Sequence, residues 1–319
     1  MRYVFLDQNK WIDLAKAATA KPDGAQFLPA LSALREAVRL GRAILPLTAI
    51  HIIETAKSPK PEQRIHLAKL MTELSQGVVL RAAAHMIQPS LDWAVTTIFG
   101  FAKSPGPPTS PFARGVEAAF NFDVRHALGI SPIRADLLRS ALDSPEAWID
   151  LLSFHENAHR IAGLEAVRRI GADGARNNES ARASAAGSDL DTLQRAYAAG
   201  LTLKLQDKLC NSLRSVGKSL DQWATLGTAR LMDFWGSIPF LHVELELHTQ
   251  RHRQTSRVWE ANDLLDIGSL SLAIPSCQVV ATERFWVDLA KRRGIDTKYS
   301  CSVISDIAAF DWDSALATS

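Results

Sequence analysis

The amino-acid sequence predicts an α/β fold in which a parallel sheet flanked by helices is interrupted by a mainly α-helical insertion. Short, fully apolar segments alternate with helical periodicity near both ends of the chain, which is typical of strand–helix–strand units. Strand signals nearly vanish between Pro59 and Arg257, where helical periodicity dominates. The chain has 319 residues, enough for one α/β domain with a large insertion.

Five elements are predicted at the beginning of the chain. Apolar side chains recur every third or fourth residue in the helical segments, as at Phe27, Leu31 and Leu34, and Gly41 is a helix stop signal. The elements are a strand at 3–6, helices at 10–20 and 26–40, a strand at 43–48 and a helix at 49–56.

The same alternation returns near the other end of the chain. The elements predicted there are a helix at 263–274, a strand at 278–282, a helix at 284–293, a strand at 301–305 and a short acidic helix. We therefore predict one discontinuous α/β domain, residues 1–57 and 258–319, and a helical insertion at 58–257. Residues 171–191 of the insertion are rich in Gly, Ala, Ser and Asn, and we expect them to be mobile.

Composition bounds the compartment but not the function. The formal net charge of +2 neither requires nor excludes a nucleic-acid partner. The three cysteines are far apart, so they indicate free thiols rather than a disulfide framework or a zinc cluster. The chain has no signal-peptide pattern and no apolar run of about 18 residues. We expect a cytoplasmic protein with no membrane partner.

Five carboxylates stand at places where strands end or helices begin. Asp7 follows the first strand, Glu54 lies on the helix after the second, and Glu283 follows the third. Asp263 and Asp266 are three residues apart and therefore share one helical face. Sites in parallel sheets form at the carboxyl ends of strands, and clustered carboxylates are the hard oxygen ligands that Mg²⁺ or Mn²⁺ prefers. This pattern predicts a metal site that hydrolyses phosphodiesters.

The pattern resembles the PIN-domain family of nucleases, over residues 1–57 and 258–319 and none of the middle. The family's Asp after the first strand is matched by Asp7, and its small polar residue two positions later by Asn9. Its Glu on the helix after the second strand is matched by Glu54.

The resemblance continues in the second segment. The family has an Asp that opens a helix, and Asp266 fits the usual spacing best, with Asp263 as a near neighbour. The strand after that helix ends in Thr and then an acid, matched by Thr282 and Glu283. The family's final acid is usually Asp and often stands two residues after the Thr, whereas Glu283 follows Thr282 directly.

The resemblance implies a metal-dependent ribonuclease that cuts RNA in preference to DNA. Asp7, Glu54, Asp266 and Glu283 would be catalytic and, with Asp263, would hold Mg²⁺ or Mn²⁺. Asn9 and Thr282 would orient ligands or substrate. The resemblance also allows a growth-inhibiting toxin or defence effector, and it leaves open a homo-oligomer or an inhibitory protein partner.

Basic residues precede the Asp263 motif. Arg251, Arg253 and Arg257 would hold substrate phosphates beside an acidic metal site. The alternative interpretation is an ordinary exposed helix end, where cations are favoured by the helix dipole.

Two other functions compete with the nuclease. The segment from His155 through Glu156 to His159 matches the zinc metalloprotease motif H-E-x-x-H, in which both histidines would bind zinc from one helical face. No downstream Gly and His complete the longer form of that motif, and Glu165 or Glu179 would have to supply the third ligand. The second alternative is a non-catalytic scaffold that binds a protein or nucleic-acid partner, and stabilisation by Mn²⁺ would distinguish the nuclease from it.

Overall fold

The computed structural model describes residues 1–101, 106–107, 109–120, 123–153 and 157–317. The chain divides into two compact units. The sheet unit contains Met1–Ala82, Phe112–Arg169 and Ser276–Ser319, and the helical unit contains Ala83–Pro111 and Ile170–Pro275.

These units have different boundaries from the domains that we predicted. The sheet unit includes residues 58–82 and 112–169, which we had assigned to the insertion. The helical unit includes residues 258–275, which we had assigned to the α/β domain. The second difference bears on function, because it places Asp263 and Asp266 in the helical unit.

Strands and helices are labelled in chain order. The strands are β1 (Arg2–Leu6), β2 (Ala43–Ile44), β3 (Val78–Leu80), β4 (Phe112–Arg114), β5 (Val279–Ala281) and β6 (Ser302–Ile304). The first helices are α1 (Gln8–Ala18), a 3-10 helix (Pro22–Phe27), α2 (Leu28–Arg39), α3 (Ala49–Thr55), α4 (Pro61–Ser75), α5 (Ala83–Ile98), α6 (Val116–Phe120), α7 (Val124–Leu128), α8 (Pro132–Leu142) and α9 (Pro145–Ser153). The remaining helices are α10 (Asn157–Ser184), α11 (Leu190–Lys204), α12 (Gln206–Ser215), α13 (Leu220–Ala224), α14 (Thr228–Ser237), α15 (Pro239–His252), α16 (Asp263–Ala273), α17 (Arg284–Arg292), α18 (Ile295–Lys298) and α19 (Trp312–Leu316).

The main sheet is parallel, as predicted. Its order is β2-β1-β5-β6, with Val4 paired to Val279 and Leu6 to Ala281. Central strand β1 ends in three buried apolar residues, as expected for a strand with helices on both faces. Only Ala43 and Ile44 of the predicted strand at 43–48 pair in this sheet.

A second, antiparallel pair of strands was not predicted. Strands β3 and β4 pair with Val79 opposite Ala113. Gln76 and Gly77, both with positive φ, form the turn between the end of α4 and the start of β3. Leu47, which we had placed in the main sheet, instead bridges to Val79. The segment between Pro59 and Arg257 is mainly helical, as predicted, but the prediction did not include these two short strands.

The core of the sheet unit is formed by helices packed on the parallel sheet. Trp11 and Leu14 of α1, Leu34 of α2 and Trp148 of α9 are all buried within it. Burial of such side chains stabilises a fold by about 1.5–3 kcal/mol each. Arg64 of α4 is also buried. Its guanidinium donates hydrogen bonds to Ser153 O at 2.6 Å and to Ser58 O at 2.9 Å, which offset the cost of burying the charge.

The helical unit contains α5, residues 170–184 of α10, and α11 to α16. Its α10 segment covers part of the stretch that we expected to be mobile, and the residues up to Ser184 are helical. Two glycines of this stretch lie where the helix packs closely against neighbouring residues. A Cβ at Gly171 would lie 2.7 Å from the Ala261 carbonyl oxygen, and one at Gly174 would lie 2.3 Å from Leu264 Cδ1. Small residues here allow close packing rather than mobility.

No helix within the described part of the chain is both long and apolar enough to cross a membrane.

Candidate functional site

Asp7 lies where the central strand β1 meets helix α1. Its N–H donates to the Ala281 carbonyl of β5 at 2.8 Å, which extends the strand pairing by one residue. As the N-cap of α1, its Oδ1 accepts a hydrogen bond from Gln8 N at 2.7 Å. Thr282 Oγ1 donates to Oδ2 at 3.2 Å. The Asp7 carboxylate is therefore held at the carboxyl edge of the sheet by α1 and by the end of β5.

Glu283 follows β5 and is the N-cap residue of α17. Thr282, just before it, is buried, and its N–H donates to the Ile304 carbonyl of β6 at 2.9 Å. Asn9 Nδ2 donates to Glu283 Oε1 at 2.9 Å. Asn9 and Thr282 thus each hold one carboxylate, of Glu283 and of Asp7 respectively.

Glu54 lies on α3, and a buried histidine ties α3 to the end of β1. The N–H of Thr48 donates to His51 Nδ1 at 3.0 Å, which assigns the ring proton to Nε2. That N–H donates to Leu6 O at 2.7 Å, one residue before Asp7. Burial lowers the pKa of His51 to about 4, so the ring is neutral at neutral pH. His51 therefore fixes α3, and with it Glu54, against β1.

Two further contacts define the position of Glu54. Gln8 Nε2 donates to Thr55 Oγ1 at 3.1 Å, a second buried link between α1 and α3. Glu54 Oε1 forms an ion pair with Lys57 Nζ at 3.0 Å, and the Glu54 side chain is only 13% exposed. A carboxylate with so little access to water is oriented by its neighbours.

The three carboxylates interact electrostatically. Burial, together with the negative charges of Glu54 and Glu283, raises the pKa of Asp7 to about 6. Hydrogen bonds from Gln8 and Thr282 oppose this shift. Ionisation of Asp7 near neutral pH therefore destabilises the folded protein. A cation bound to the three carboxylates would remove that destabilisation.

The structure places five of the predicted site residues in the sheet unit and the other five in the helical unit. The sheet unit carries Asp7, Asn9, Glu54, Thr282 and Glu283, which surround one edge of the sheet. No three or more histidine, cysteine, aspartate or glutamate side chains are grouped so as to hold a metal ion within residues 1–317 where these are described. The predicted metal site stays a prediction.

Asp263 has a different environment from the one predicted. It is 1% exposed, and its Oδ2 accepts from Arg251 Nη2 at 2.7 Å, from Arg251 Nε at 3.0 Å and from Glu260 N at 2.8 Å. Arg257 Nη2 lies 3.3 Å from its other oxygen. The carboxylate is engaged by the protein itself, so Asp263 acts structurally within the helical unit.

Arg251 also differs from its predicted role in substrate binding. It is 0% exposed, stacks over the Trp259 ring at 4.7 Å and donates to the carbonyls of Arg257 and Val258. A buried guanidinium with these partners cannot contact a phosphate. Arg257 is partly exposed and pairs with Asp263 and Glu260.

Arg253 and Asp266 are the remaining predicted site residues. Arg253 is exposed and has no ion pair within the described part of the chain, so it can contact a ligand. Asp266 lies in the first turn of α16 and is half-buried within the helical unit.

Three residues at this edge were missed in the sequence. His51 is the third helical residue after Thr48, a capping-box spacing with histidine in the usual place of glutamate. Lys57 stands three residues after Glu54, the spacing of a helical ion pair. Asp306 follows β6, and its Oδ1 accepts from the N–H groups of Ala308 and Ala309.

The zinc motif lies outside what the structure describes. His155 and Glu156 are not among the described residues, and neither is the side chain of His159.

Comparison of the chain with protein-family models, curated proteins and solved structures finds no match.

Proposed function

We propose that the protein is a metal-dependent nuclease that uses the acidic edge of the sheet and hydrolyses RNA. The observation that carries this proposal is that Asp7 and Glu283 follow adjacent parallel strands and that Glu54 of α3 lies near them. Burial and the charges of Glu54 and Glu283 raise the pKa of Asp7. Paired carboxylates with a raised pKa are a feature of functional sites.

The donor set suits Mg²⁺ or Mn²⁺ in its chemistry. All three side chains offer carboxylate oxygens, the ligands that these hard cations prefer. Asp7, Glu54 and Glu283, all carried by the sheet unit, would hold the ion. A bound ion would activate water and neutralise charge on the phosphate.

The residues around the carboxylates position them for this task. Thr282 orients Asp7, Asn9 orients Glu283, and Lys57 orients Glu54. His51 holds the helix that carries Glu54 against the strand that carries Asp7. Arg253 is the exposed cation among the predicted phosphate-binding residues. We propose a cytoplasmic setting from the composition, in which the three widely spaced cysteines indicate free thiols, and a toxin or defence role on the resemblance alone.

The test is cleavage of single-stranded RNA and DNA oligonucleotides with Mn²⁺ and with EDTA. We expect RNA cleavage that EDTA abolishes. Asp7→Asn and Glu54→Gln should each lower the rate at least about 100-fold, or about 2.7 kcal/mol of transition-state stabilisation, because each removes a ligand charge. Glu62→Gln, at an exposed glutamate of α4, is the matched control and should cleave like wild type. Wild-type rates for both site variants would exclude this mechanism.

A second variant separates the acidic site from the zinc motif. His155→Ala combined with His159→Ala should leave cleavage within about tenfold of wild type, a change of about 1.4 kcal/mol. A zinc enzyme would lose both its metal and its activity, because two of its protein ligands would be gone. Metal analysis before and after the substitutions provides the readout. Stoichiometric zinc that disappears with the histidines would transfer the assignment to the protease motif.

A non-catalytic scaffold is the second candidate function. It is favoured by the lack of a metal-binding group within the described residues and by the protein partners of Glu54 and Glu283. A scaffold of this kind would show no Mn²⁺-dependent rise in unfolding temperature, whereas a nuclease that binds the ion in its folded state must show one.

A further inference from the structure

The helical unit contains a large, mostly apolar cavity that the proposed function does not use. It has a volume of about 540 Å³ and lies among helices α10, α11, α15 and α16, with Ala83 of α5 also on its wall. Leu201, Leu264 and Ile267 contribute apolar surface. Pockets of a few hundred Å³ with an apolar lining and a few polar groups are typical of small-molecule sites.

One wall of the cavity is an aromatic stack. His248 lies 4.4 Å from the Tyr197 ring, 5.0 Å from the Trp259 ring and 5.7 Å from the His252 ring, measured between centroids. Tyr197, His248 and His252 line the cavity directly. Such a wall offers flat, polarisable surface against which a planar ligand can stack.

The histidines of this wall have unused hydrogen-bonding atoms. His252 is 9% exposed, and its Nδ1 is buried with no hydrogen-bond partner. Its other ring nitrogen donates to the Ala181 carbonyl, so Nδ1 is left as an acceptor. His248 forms no hydrogen bond through its ring within the described part of the chain. Burial lowers its pKa to about 3, so this ring is neutral as well.

A buried acceptor without a partner destabilises the fold by about 1–3 kcal/mol unless water or a ligand satisfies it. The wall therefore presents a site for an N–H or O–H donor. A second cavity, of about 430 Å³, shares His252 and Leu193 with the first, so His252 stands where the two cavities meet.

Two charged side chains reach the same cavity. Lys204, at the end of α11, is exposed and forms no ion pair with any described residue. Glu244 keeps its negative charge, and its carboxylate accepts a hydrogen bond from Tyr197 Oη at 2.8 Å. Lys204 is the one lysine or arginine among the described residues that line the cavity, so it is the side chain with which an anionic group of a ligand can pair.

We propose that this cavity binds a small molecule with a planar apolar body, one N–H or O–H donor and one anionic group. The body would lie against the aromatic stack and the leucines, the donor would face His252 Nδ1, and the anion would pair with Lys204. The site lies wholly within the helical unit and is independent of the acidic edge of the sheet.

Anilinonaphthalene sulfonate is a suitable probe, because it combines two aromatic groups, an N–H donor and a sulfonate. N-phenylnaphthylamine has the same aromatic groups and N–H but no charge. Fluorescence titration of the full-length protein should show saturable binding of the sulfonate at one site. The neutral probe should bind the same site about threefold to fivefold more weakly, the range of an exposed ion pair. Multiple unsaturable sites would overturn the proposal.

Cavity-filling variants locate the site. Gly268 of α16 and Gly200 of α11 line the cavity, and a Cβ at either meets no atom within 4 Å. Gly268→Phe and Gly200→Phe should each lower the affinity for both probes at least tenfold. Neither should prevent folding, because glycine is a poor helix former. Gly163→Phe, at an exposed glycine of α10 with equal space, is the matched control and should bind like wild type.

The anionic requirement is tested separately. Lys204→Met should lower the affinity for the sulfonate about threefold to fivefold and leave that for the neutral probe within twofold. Wild-type affinities in both cavity-filling variants would refute the site. An unchanged sulfonate affinity in Lys204→Met would refute the anionic class of ligand.

Discussion

Replacement of Arg251 by methionine is expected to lower the free energy of unfolding by about 3–5 kcal/mol, because it leaves the buried Asp263 carboxylate with the partly exposed Arg257 as its remaining cationic partner. Methionine keeps most of the side-chain volume but none of the donors. The substitution also removes hydrogen bonds to the carbonyls of Arg257 and Val258 and the stacking on Trp259. Urea unfolding followed by circular dichroism gives the measurement.

Two further variants separate a buried ion pair from a substrate contact. Arg251→Met combined with Asp263→Leu removes both charges and should recover part of the loss, since an apolar pair can replace a buried ion pair. Arg253→Met is the matched control and should change stability by less than about 0.5 kcal/mol, because Arg253 is exposed. Wild-type stability of Arg251→Met together with weaker RNA binding would restore Arg251 to the substrate site.

The parallel sheet was predictable because its strands are short, apolar and separated by helices with clear periodicity. β1, β5 and β6 lie within one residue of their predicted bounds, and the fully buried β5 is an uninterrupted apolar run. The pairing of β3 with β4 was not predictable, because it joins two three-residue segments across more than thirty residues of chain. The Gln76–Gly77 stop before an apolar run was the available signal.

The candidate site was predictable in part for the same reason. Asp7 comes one residue after β1 and Glu283 two residues after β5, and these strands are adjacent and parallel, so the proximity of the two carboxylates is a consequence of sheet topology. Asp263 was assigned from spacing alone, and spacing does not reveal that Arg251 approaches from the preceding helix. The same limit applies to His51, whose bond to the Leu6 carbonyl depends on how α3 packs against β1.

Replacement of Asp7 by asparagine is expected to stabilise the metal-free protein near neutral pH. The pKa of Asp7 is raised to about 6 by burial and by Glu54 and Glu283, so ionisation costs more in the folded state than in the unfolded state. A difference of about two pKa units corresponds to about 3 kcal/mol, and we expect a gain of about 2–3 kcal/mol at about pH 7.5. Asparagine also keeps the N-cap acceptor for Gln8 N.

The sign of the pH dependence follows from the direction of the shift. The pKa of Asp7 is about 3.9 in the unfolded state and about 6 in the folded state. Its raised pKa therefore favours the folded state fully below about pH 3.9, and this contribution to stability is lost as the pH rises through about 6. The advantage of Asp7→Asn should therefore be absent near pH 4 and complete above about pH 7. The lowered pKa of His51 produces the opposite slope, but His51 is present in both proteins, and its effect cancels in the difference.

Urea unfolding of wild type, Asp7→Asn and the control Glu62→Gln across this pH range provides the measurement, with and without Mn²⁺. Because a ligand that binds only the folded state stabilises it, Mn²⁺ should stabilise wild type and Glu62→Gln but not Asp7→Asn. A pH-independent loss of stability in Asp7→Asn would show that the carboxylate is a structural N-cap rather than a strained member of an acidic cluster. A full response of this variant to Mn²⁺ would place the ion elsewhere on the protein.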